Sequence, residues 1–325
     1  MPTDASSPAA TLPAPAGPDL AGRLLHDWWT VFRYELRYLA LSVRTWIPMA
    51  IYAGFGALAM YAYSAAANEA HERAIAAFGE RASEMLEKGA QENTGAVLAF
   101  VGWGNAADAA EIFRDKVPLI VIYFFALASY FLPLLVALVT FDQFSELSTR
   151  GARFALIRVR RGTYFAGKAA AAFASVAAFL LLTWIIVTGF TVFREGREAL
   201  PHALAEGLRA WALMCVLALP YLSLTALISS VARPGFAFLL TLGAWVGMWI
   251  GSAIVKTLLP WLFNRSGWTS LADAEKHLTA IFPWYHAPKL ISRDLATLTQ
   301  GAGALLLLAV IGYALTFFVI RRRDV

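Results

Sequence analysis

Residues 169–193 read AAAAFASVAAFLLLTWIIVTGFTVF, a run of 25 residues without a charged side chain. An α-helix rises about 1.5 Å per residue, and the hydrocarbon core of a bilayer is about 30 Å thick, so about 20 apolar residues span it. This stretch therefore predicts a membrane-spanning helix.

Five other apolar stretches are long enough to cross a bilayer. They lie at about 45–67, 117–141, 209–231, 236–259 and 301–320. The whole chain of 325 residues is 59% hydrophobic and only 15% charged, whereas soluble domains carry about 25% charged residues. The sequence predicts an all-α membrane protein whose domain at 45–325 contains six transmembrane helices. Loops on the outer side are expected at 68–116 and 260–300.

Two segments precede the first span. Residues 1–22 are rich in Pro and Ala and lack the apolar core of a signal peptide, which predicts a disordered tail. Residues 23–44 predict a helix with an aromatic face and a basic face, and such a helix lies in the membrane interface. The aromatic face includes Trp28, Trp29 and Phe32, and the basic face includes Arg33, Arg37 and Arg44. The helix is either a simple surface anchor or a functional element.

The distribution of Lys and Arg predicts the orientation. An even number of spans places both termini on one side of the membrane, and the basic residues concentrate in the short 142–168 segment and in Arg321–Arg323. Segments rich in Lys and Arg near span ends face the cytoplasm. Both termini and Lys168 are therefore expected to be cytoplasmic.

Residues 162–168, GTYFAGK, match the spacing of a phosphate-binding loop. Such a loop needs a buried strand before it and a Ser or Thr after the lysine to hold Mg²⁺. The residue after Lys168 is Ala169, and the chain then enters the membrane. We expect no nucleotide to bind here.

Other chemistry has little support in the sequence. The spans lack paired acids, a His pair or a Ser-Lys arrangement, so no catalytic residue is assigned. Cys215, the single cysteine, is expected to be a small buried residue within its span. The spacing of His71, His202, His277 and His286 does not form a metal-binding pair, and these histidines are expected at the surface. Neither a metal, a bound cofactor nor nucleic acid is implied.

The segment between the second and third spans is FDQFSELSTRGARFALIRVRRGTYFAGK, residues 141–168. A short helix within it would expose apolar side chains interleaved with arginines. This pattern is typical of a surface anchor on anionic lipid headgroups. It also fits a docking element for a cytoplasmic partner.

This segment resembles the cytoplasmic loop of type-2 ATP-binding-cassette (ABC) transporter permeases. The matching positions are Glu146, Gly151, the run 153–159, Arg160 with Arg161, and Gly167 with Lys168. Two positions depart from the pattern, because Ala152 stands where many members have Thr and no Pro precedes the basic pair. The segment at 23–44, SSVARPG (229–235), FPWYH (282–286) and the ending VIRRRDV (319–325) are also similar to that family.

The resemblance implies the membrane subunit of an exporter, which has no ATPase domain and is not itself an enzyme. Two such subunits, identical or different, would assemble in the cytoplasmic (inner) membrane with two ATPase subunits that hold ATP and Mg²⁺. The helix at 23–44 would be the elbow helix beside the ATPase contact. A coupling helix would transmit ATPase motion through Glu146, Gly151, Arg153, Phe154, Leu156, Arg158, Arg160 and Arg161. The alternative is a non-transporting scaffold or sensor that recruits a cytoplasmic partner through the basic loop.

Two further surfaces could contact other helices or proteins. Gly243, Gly247 and Gly251 form a tandem G-x-x-x-G row on the fifth span, which permits close helix approach. Intramolecular packing, a dimer contact and the lining of a pathway all remain open for this row. On the outer side, residues 68–88 predict an amphipathic helix that packs locally, lies on the outer leaflet or binds an extracytoplasmic partner.

Overall fold

The computed structural model describes residues 20–81, 119–145, 160–254, 279–292 and 294–322. Within these ranges the chain forms eight α-helices and contains no strand. The helices are α1 (Leu20–Leu41), α2 (Val43–Phe78), α3 (Leu119–Thr140), α4 (Arg161–Glu195), α5 (Leu200–Val231), α6 (Pro234–Ala253), α7 (Pro283–Ile291) and α8 (Leu295–Arg322). The predicted all-α class is confirmed for the described part of the chain.

Four described segments are long and apolar enough to cross a membrane. They are Thr45–Ala62 in α2, Arg161–Arg194 in α4, Leu200–Val231 in α5 and Leu295–Arg322 in α8. The helices α3 and α6 coincide with the other two predicted spans, but their apolar stretches, Ala128–Thr140 and Pro234–Met248, are shorter. The chain therefore has the character of a multi-pass membrane protein.

Helix α5 forms the centre of the bundle and packs against α3, α4, α6, α7 and α8. Its buried face includes Met214, Leu217 and Cys215, so the cysteine is buried as expected. Glycine brings neighbouring helices close at this centre, because a Cβ on Gly312 of α8 would collide with Ser223 of α5. Small residues at helix contacts allow this approach in membranes, where packing takes the place of a hydrophobic drive.

Several helices are longer than predicted. Helix α2 continues past the first predicted span to Phe78, so residues 68–78 are its extension rather than a separate amphipathic helix. Gly79 ends it with a positive φ of 55°, a conformation that glycine adopts without strain. Residues 82–88 of that predicted helix lie outside the described part of the chain. Helices α5 and α8 likewise begin nine and six residues before the predicted spans at 209 and 301.

The largest correction concerns the start of α4. Residues 161–168 were expected to belong to the loop, yet they form the first two turns of α4. A lysine within an apolar helix is costly unless its charge is paired. The partners of Lys168 explain why the helix can include it.

Candidate functional site

The side chain of Lys168 is buried beneath helix α1. Only 4% of the residue is exposed, and the Nζ atom donates a hydrogen bond to the carbonyl oxygen of Gln143 at 2.8 Å. The same atom lies 3.4 Å from Oε1 of Glu35 in α1 and 5.4 Å from the ring centre of Tyr164. One ammonium group therefore joins α1, the turn that follows α3 and the start of α4.

The ion pair of Lys168 with Glu35 is almost completely removed from solvent, since Glu35 is 6% exposed. Taking both charges out of water costs several kcal/mol each, and a pair survives there only with good geometry and further hydrogen bonds. The bond to Gln143 and the ring of Tyr164 supply part of this support. Removing either side chain would leave the other charge buried without this ion pair.

Gly167 brings α1 and α4 close enough for the pair to form. A Cβ at this position would lie 2.8 Å from Cγ1 of Val31 and 3.2 Å from the carbonyl oxygen of Trp28. The backbones of the two helices are therefore nearly in contact here. The Gly-Lys pair that resembled part of a phosphate-binding loop is instead a helix-packing element.

Around this pair, further hydrogen bonds connect the elements at one end of the bundle. The backbone N–H of Phe144 donates to Oγ of Ser229 in α5 at 3.3 Å, and Nη1 of Arg161 donates to the carbonyl oxygen of Arg321 in α8 at 2.8 Å. A small apolar cluster fills the space between these contacts and comprises Phe144, Tyr164, Ala226 and Ile320. The ends of α3, α4, α5 and α8 thus meet α1 at one place.

The turn after α3 also contains an unsatisfied polar group. The side chain of Gln143 is buried, and neither its nitrogen nor its oxygen has a hydrogen-bond partner among the described residues. A buried unpaired polar group costs about 1–3 kcal/mol. The amide lies in the turn that leads into the basic segment and is available to another group.

The predicted coupling residues are divided between the described and the undescribed parts of the chain. Most of them lie outside the described part of the chain, namely Glu146, Gly151, Arg153, Phe154, Leu156 and Arg158. Arg160 has extended backbone angles, is exposed and precedes the first turn of α4. Arg161 is half-buried and makes the contact to α8. The undescribed segment 146–159 is therefore flanked on both sides by residues that belong to the Lys168 junction.

The predicted elbow segment forms α1, which ends at Leu41. Phe32 stacks on both Trp28 and Trp29, with ring centres 5.4 Å apart in each case. Arg33 and Arg37 are exposed. Arg44 belongs to α2 rather than to the elbow, and its side chain lies outside the description.

The buried face of α1 is displaced from the predicted apolar stripe. Val31, Glu35 and Leu39 face the body of the protein, whereas Leu25 and Trp29 are exposed. Sequence reasoning missed Glu35, although a signal was present. Glu35 lies three residues after Phe32 and four before Leu39, so an acid interrupts the apolar face of the helix.

The glycine row on α6 is largely unpacked. A Cβ added at Gly243 or Gly247 would meet nothing within 4 Å among the described residues, and both positions are exposed. Gly251 lies at ordinary contact distance from Phe282, 3.5 Å from an added Cβ. Intramolecular packing therefore does not account for Gly243 and Gly247 within the described ranges.

At the opposite end of the bundle, Arg209 and His286 contact backbone carbonyl oxygens. Arg209 Nη2 donates to the carbonyl oxygen of Ser292 at 2.9 Å, which joins α5 to the end of α7. His286 was expected at the surface but is 3% exposed, and its Nε2 lies 2.8 Å from the carbonyl oxygen of Ala280. Burial lowers the pKa of His286, and nearby Lys289 adds to that effect, while the bond to Ala280 opposes it.

The other predicted histidines do not join His286. His71 and His202 are exposed, and His277 lies outside the described residues. Across the part of the chain that the structure describes, no three His, Cys, Asp or Glu side chains are grouped so that they could hold a metal ion.

Neither a scan against protein-family models nor a search of curated proteins finds a match to this chain.

Proposed function

We propose that this chain is the membrane-spanning subunit of an ABC exporter, driven by ATP hydrolysis on separate cytoplasmic ATPase subunits. The observation that carries the proposal is the buried contact of Lys168 with Glu35 and Gln143. It joins the elbow helix to both flanks of the basic segment 146–159. A force applied to that segment would move α1, α3 and α4 together.

The proposal includes six spans. Helix α3 has 22 residues and α6 has 20, lengths of about 33 and 30 Å at 1.5 Å per residue. Each matches the thickness of a hydrocarbon core of about 30 Å. With α2, α4, α5 and α8 they give an even number of crossings. The basic end that contains Lys168 would then face the cytoplasm with both termini.

In the proposed mechanism, ATP-driven closure of the ATPase pair displaces the coupling segment. The junction passes this displacement to α1 and α4, which shifts the population of the spans between two packed arrangements. The amide of Gln143, which has no hydrogen-bond partner among the described residues, lies next to this segment, where it could gain a partner in one of the two arrangements. This chain would supply neither a catalytic residue nor a nucleotide ligand.

The proposal can be tested by purifying the full chain from its source membrane in mild detergent. The parent should retain an ATPase subunit and hydrolyse Mg-ATP with vanadate sensitivity. An Arg153→Glu/Arg158→Glu variant should reverse the local charge and lose that activity. It should still insert, because Arg160, Arg161 and Lys168 keep the loop basic.

A matched control is Arg73→Glu on α2, an exposed position far from the junction in sequence. This variant should keep the ATPase and its activity. Parent protein that is free of any ATPase and inactive towards ATP would contradict the exporter proposal. Retention of a cytoplasmic protein without ATPase activity would instead favour the scaffold or sensor.

A further inference from the structure

The outward face of α1 forms a groove where this helix meets α2. Its volume is about 290 Å³, and it is lined by Tyr34, Arg37, Tyr38, Leu41 and Ser42. The first four residues follow the i, i+3, i+4, i+7 spacing that places side chains on one stripe of a helix. The stripe lies away from Glu35 and Leu39, which face the body.

The groove has the chemistry of a site for an anionic group. Arg37 is exposed and makes no ion pair or hydrogen bond with any described residue. Among the described residues that line the groove, none is acidic. A guanidinium group can form two parallel hydrogen bonds to a phosphate, and neighbouring tyrosine hydroxyls can donate further bonds.

The groove also lies where the chain enters the membrane. Three residues after Ser42 begins the candidate span Thr45–Ala62. Tyr34 is 74% exposed, and Trp46 is exposed beside the junction. The indole N–H of Trp46 donates to the carbonyl oxygen of Ala40 at 2.6 Å, which joins the two helices. Exposed Tyr and Trp residues are typical of headgroup level.

A second, apolar cavity lies further along α2, beyond the groove. It has a volume of about 80 Å³ between α2 and α3, and its lining includes Pro48, Ile51 and Phe55. Ile51 is nine residues beyond Ser42, a distance of about 13 Å along a helix. One leaflet contributes about 15 Å of hydrocarbon, half of a core of about 30 Å. The acyl chain of a lipid anchored in the groove could therefore reach the cavity.

We propose that the α1–α2 junction is a binding site for one anionic phospholipid, with its phosphate on Arg37 and the two tyrosines and an acyl chain beside Ile51 and Phe55. The site goes beyond the general interfacial placement of α1, because it distinguishes Arg37, which lines the groove, from Arg33, which is also exposed one turn earlier. It does not depend on whether an ATPase partner exists.

The test uses the full chain in nanodiscs with photoactivatable lipids of identical acyl chains, one with a phosphatidylglycerol headgroup and one with phosphatidylcholine. The reactive group is in the acyl chain, and labelling of α2 is read by peptide mass spectrometry. Phosphatidylglycerol should label the peptide containing Ile51 and Phe55 roughly fivefold more than phosphatidylcholine, as expected for one basic side chain near anionic lipid.

Arg37→Gln should remove this preference, whereas Arg33→Gln should keep it to within about twofold. Arg37→Lys should also retain most of the preference, because an ammonium group still binds phosphate as a point charge. Unchanged elution on size exclusion would show that each variant remains folded.

Three results would overturn the proposal. One is equal labelling by the two lipids in the parent, which would indicate ordinary contact with bulk lipid or an occupant of another class. Another is an equal loss of preference in Arg33→Gln and Arg37→Gln, which would indicate diffuse charge. The third is a loss in Arg37→Lys as large as that in Arg37→Gln, which would show that charge does not hold the lipid.

Discussion

Two glycine-containing helix faces in this protein have opposite surroundings. On α4, Gly167 lies against Val31 and the backbone of Trp28. On α6, Gly243 and Gly247 have open space before them among the described residues. The first face is part of the internal contact between α4 and α1. The second is a surface on which another helix could pack without any change to the fold.

The largest expected effect comes from breaking the ion pair on the packed face. Lys168→Ala should lower the free energy of unfolding by about 3–5 kcal/mol, because it removes the buried ion pair that compensates the charge of Glu35. The measurement is equilibrium unfolding in mixed micelles. The Glu35→Gln/Lys168→Met variant should recover much of the loss, since it removes both charges. A double variant no more stable than Lys168→Ala would argue against this ion-pair explanation.

The next effect compares the two faces directly. Gly167→Ala should destabilise by about 1–3 kcal/mol, because the added methyl group overpacks the contact with α1. Gly247→Ala should change stability by less than about 0.5 kcal/mol, as for other surface substitutions. Both can be measured by the same unfolding experiment. Similar losses at the two positions would contradict the difference described here.

The open face can be tested further through assembly. Gly247→Leu should leave the isolated subunit as stable as the parent but prevent close approach of a second helix. Gly247→Cys should cross-link two copies in membranes if the row lies at a subunit contact. Normal assembly in the leucine variant, together with no cross-link, would leave the row without a role in dimer formation.

A smaller effect is expected at the end of the bundle opposite Lys168, from His286. Its pKa is lowered in the folded protein, mainly by burial. The unfolded chain therefore binds a proton first as the pH falls below about 6.5, and the stabilisation that is complete above that pH is lost below it. Thermal unfolding between pH 7 and pH 5 should show a steeper decline for the parent than for His286→Gln. Parallel curves would exclude this contribution.

The smallest expected effect is that of nucleotide on the isolated chain. Mg-ATP should leave its melting temperature unchanged, although a ligand at 100 times its dissociation constant stabilises a protein by about 2.7 kcal/mol. Lys168 is occupied by Glu35 and Gln143 and does not face an open phosphate site. A saturable ATP-dependent shift that disappears in Lys168→Ala would contradict this placement.

The sequence predicted the helical class because apolar length alone specifies it, and the helices α2, α4, α5 and α8 contain the expected spans. Residues 162–168, which match the spacing of a phosphate-binding loop, lie within the first two turns of α4. The predicted span placed the start of α4 eight residues too late, at 169 rather than 161. The charge of Lys168 argued against a helix there because its distant partner could not be recognised. Glu35 lies 133 positions away in the chain, and no local pattern connects the two.

The burial of His286 also could not be predicted from the local sequence. Its neighbours in sequence, PWYHAPK, do not form a pattern that predicts burial. The burial results from the packing of α7 against α8 and from the contact with the turn at Ala280. For Glu35, however, a closer inspection of the apolar stripe would have raised the question of a partner. A charged residue on the apolar face of its own helix indicates a partner elsewhere in the fold.

Many of the contacts between helices described above end on a backbone carbonyl rather than on a side chain. Lys168 donates to the carbonyl of Gln143, Arg161 to that of Arg321, and Arg209 to that of Ser292. Tyr52 and Trp211 do the same at Ala128 and Ala177. Every amino acid supplies this acceptor, so mutation of the accepting residue need not break the bond. Among descendants of this sequence, the donors should therefore be retained. The hydrogen bond itself places no constraint on the accepting side chain, so these contacts should not produce the paired substitutions by which covariation reveals contacts.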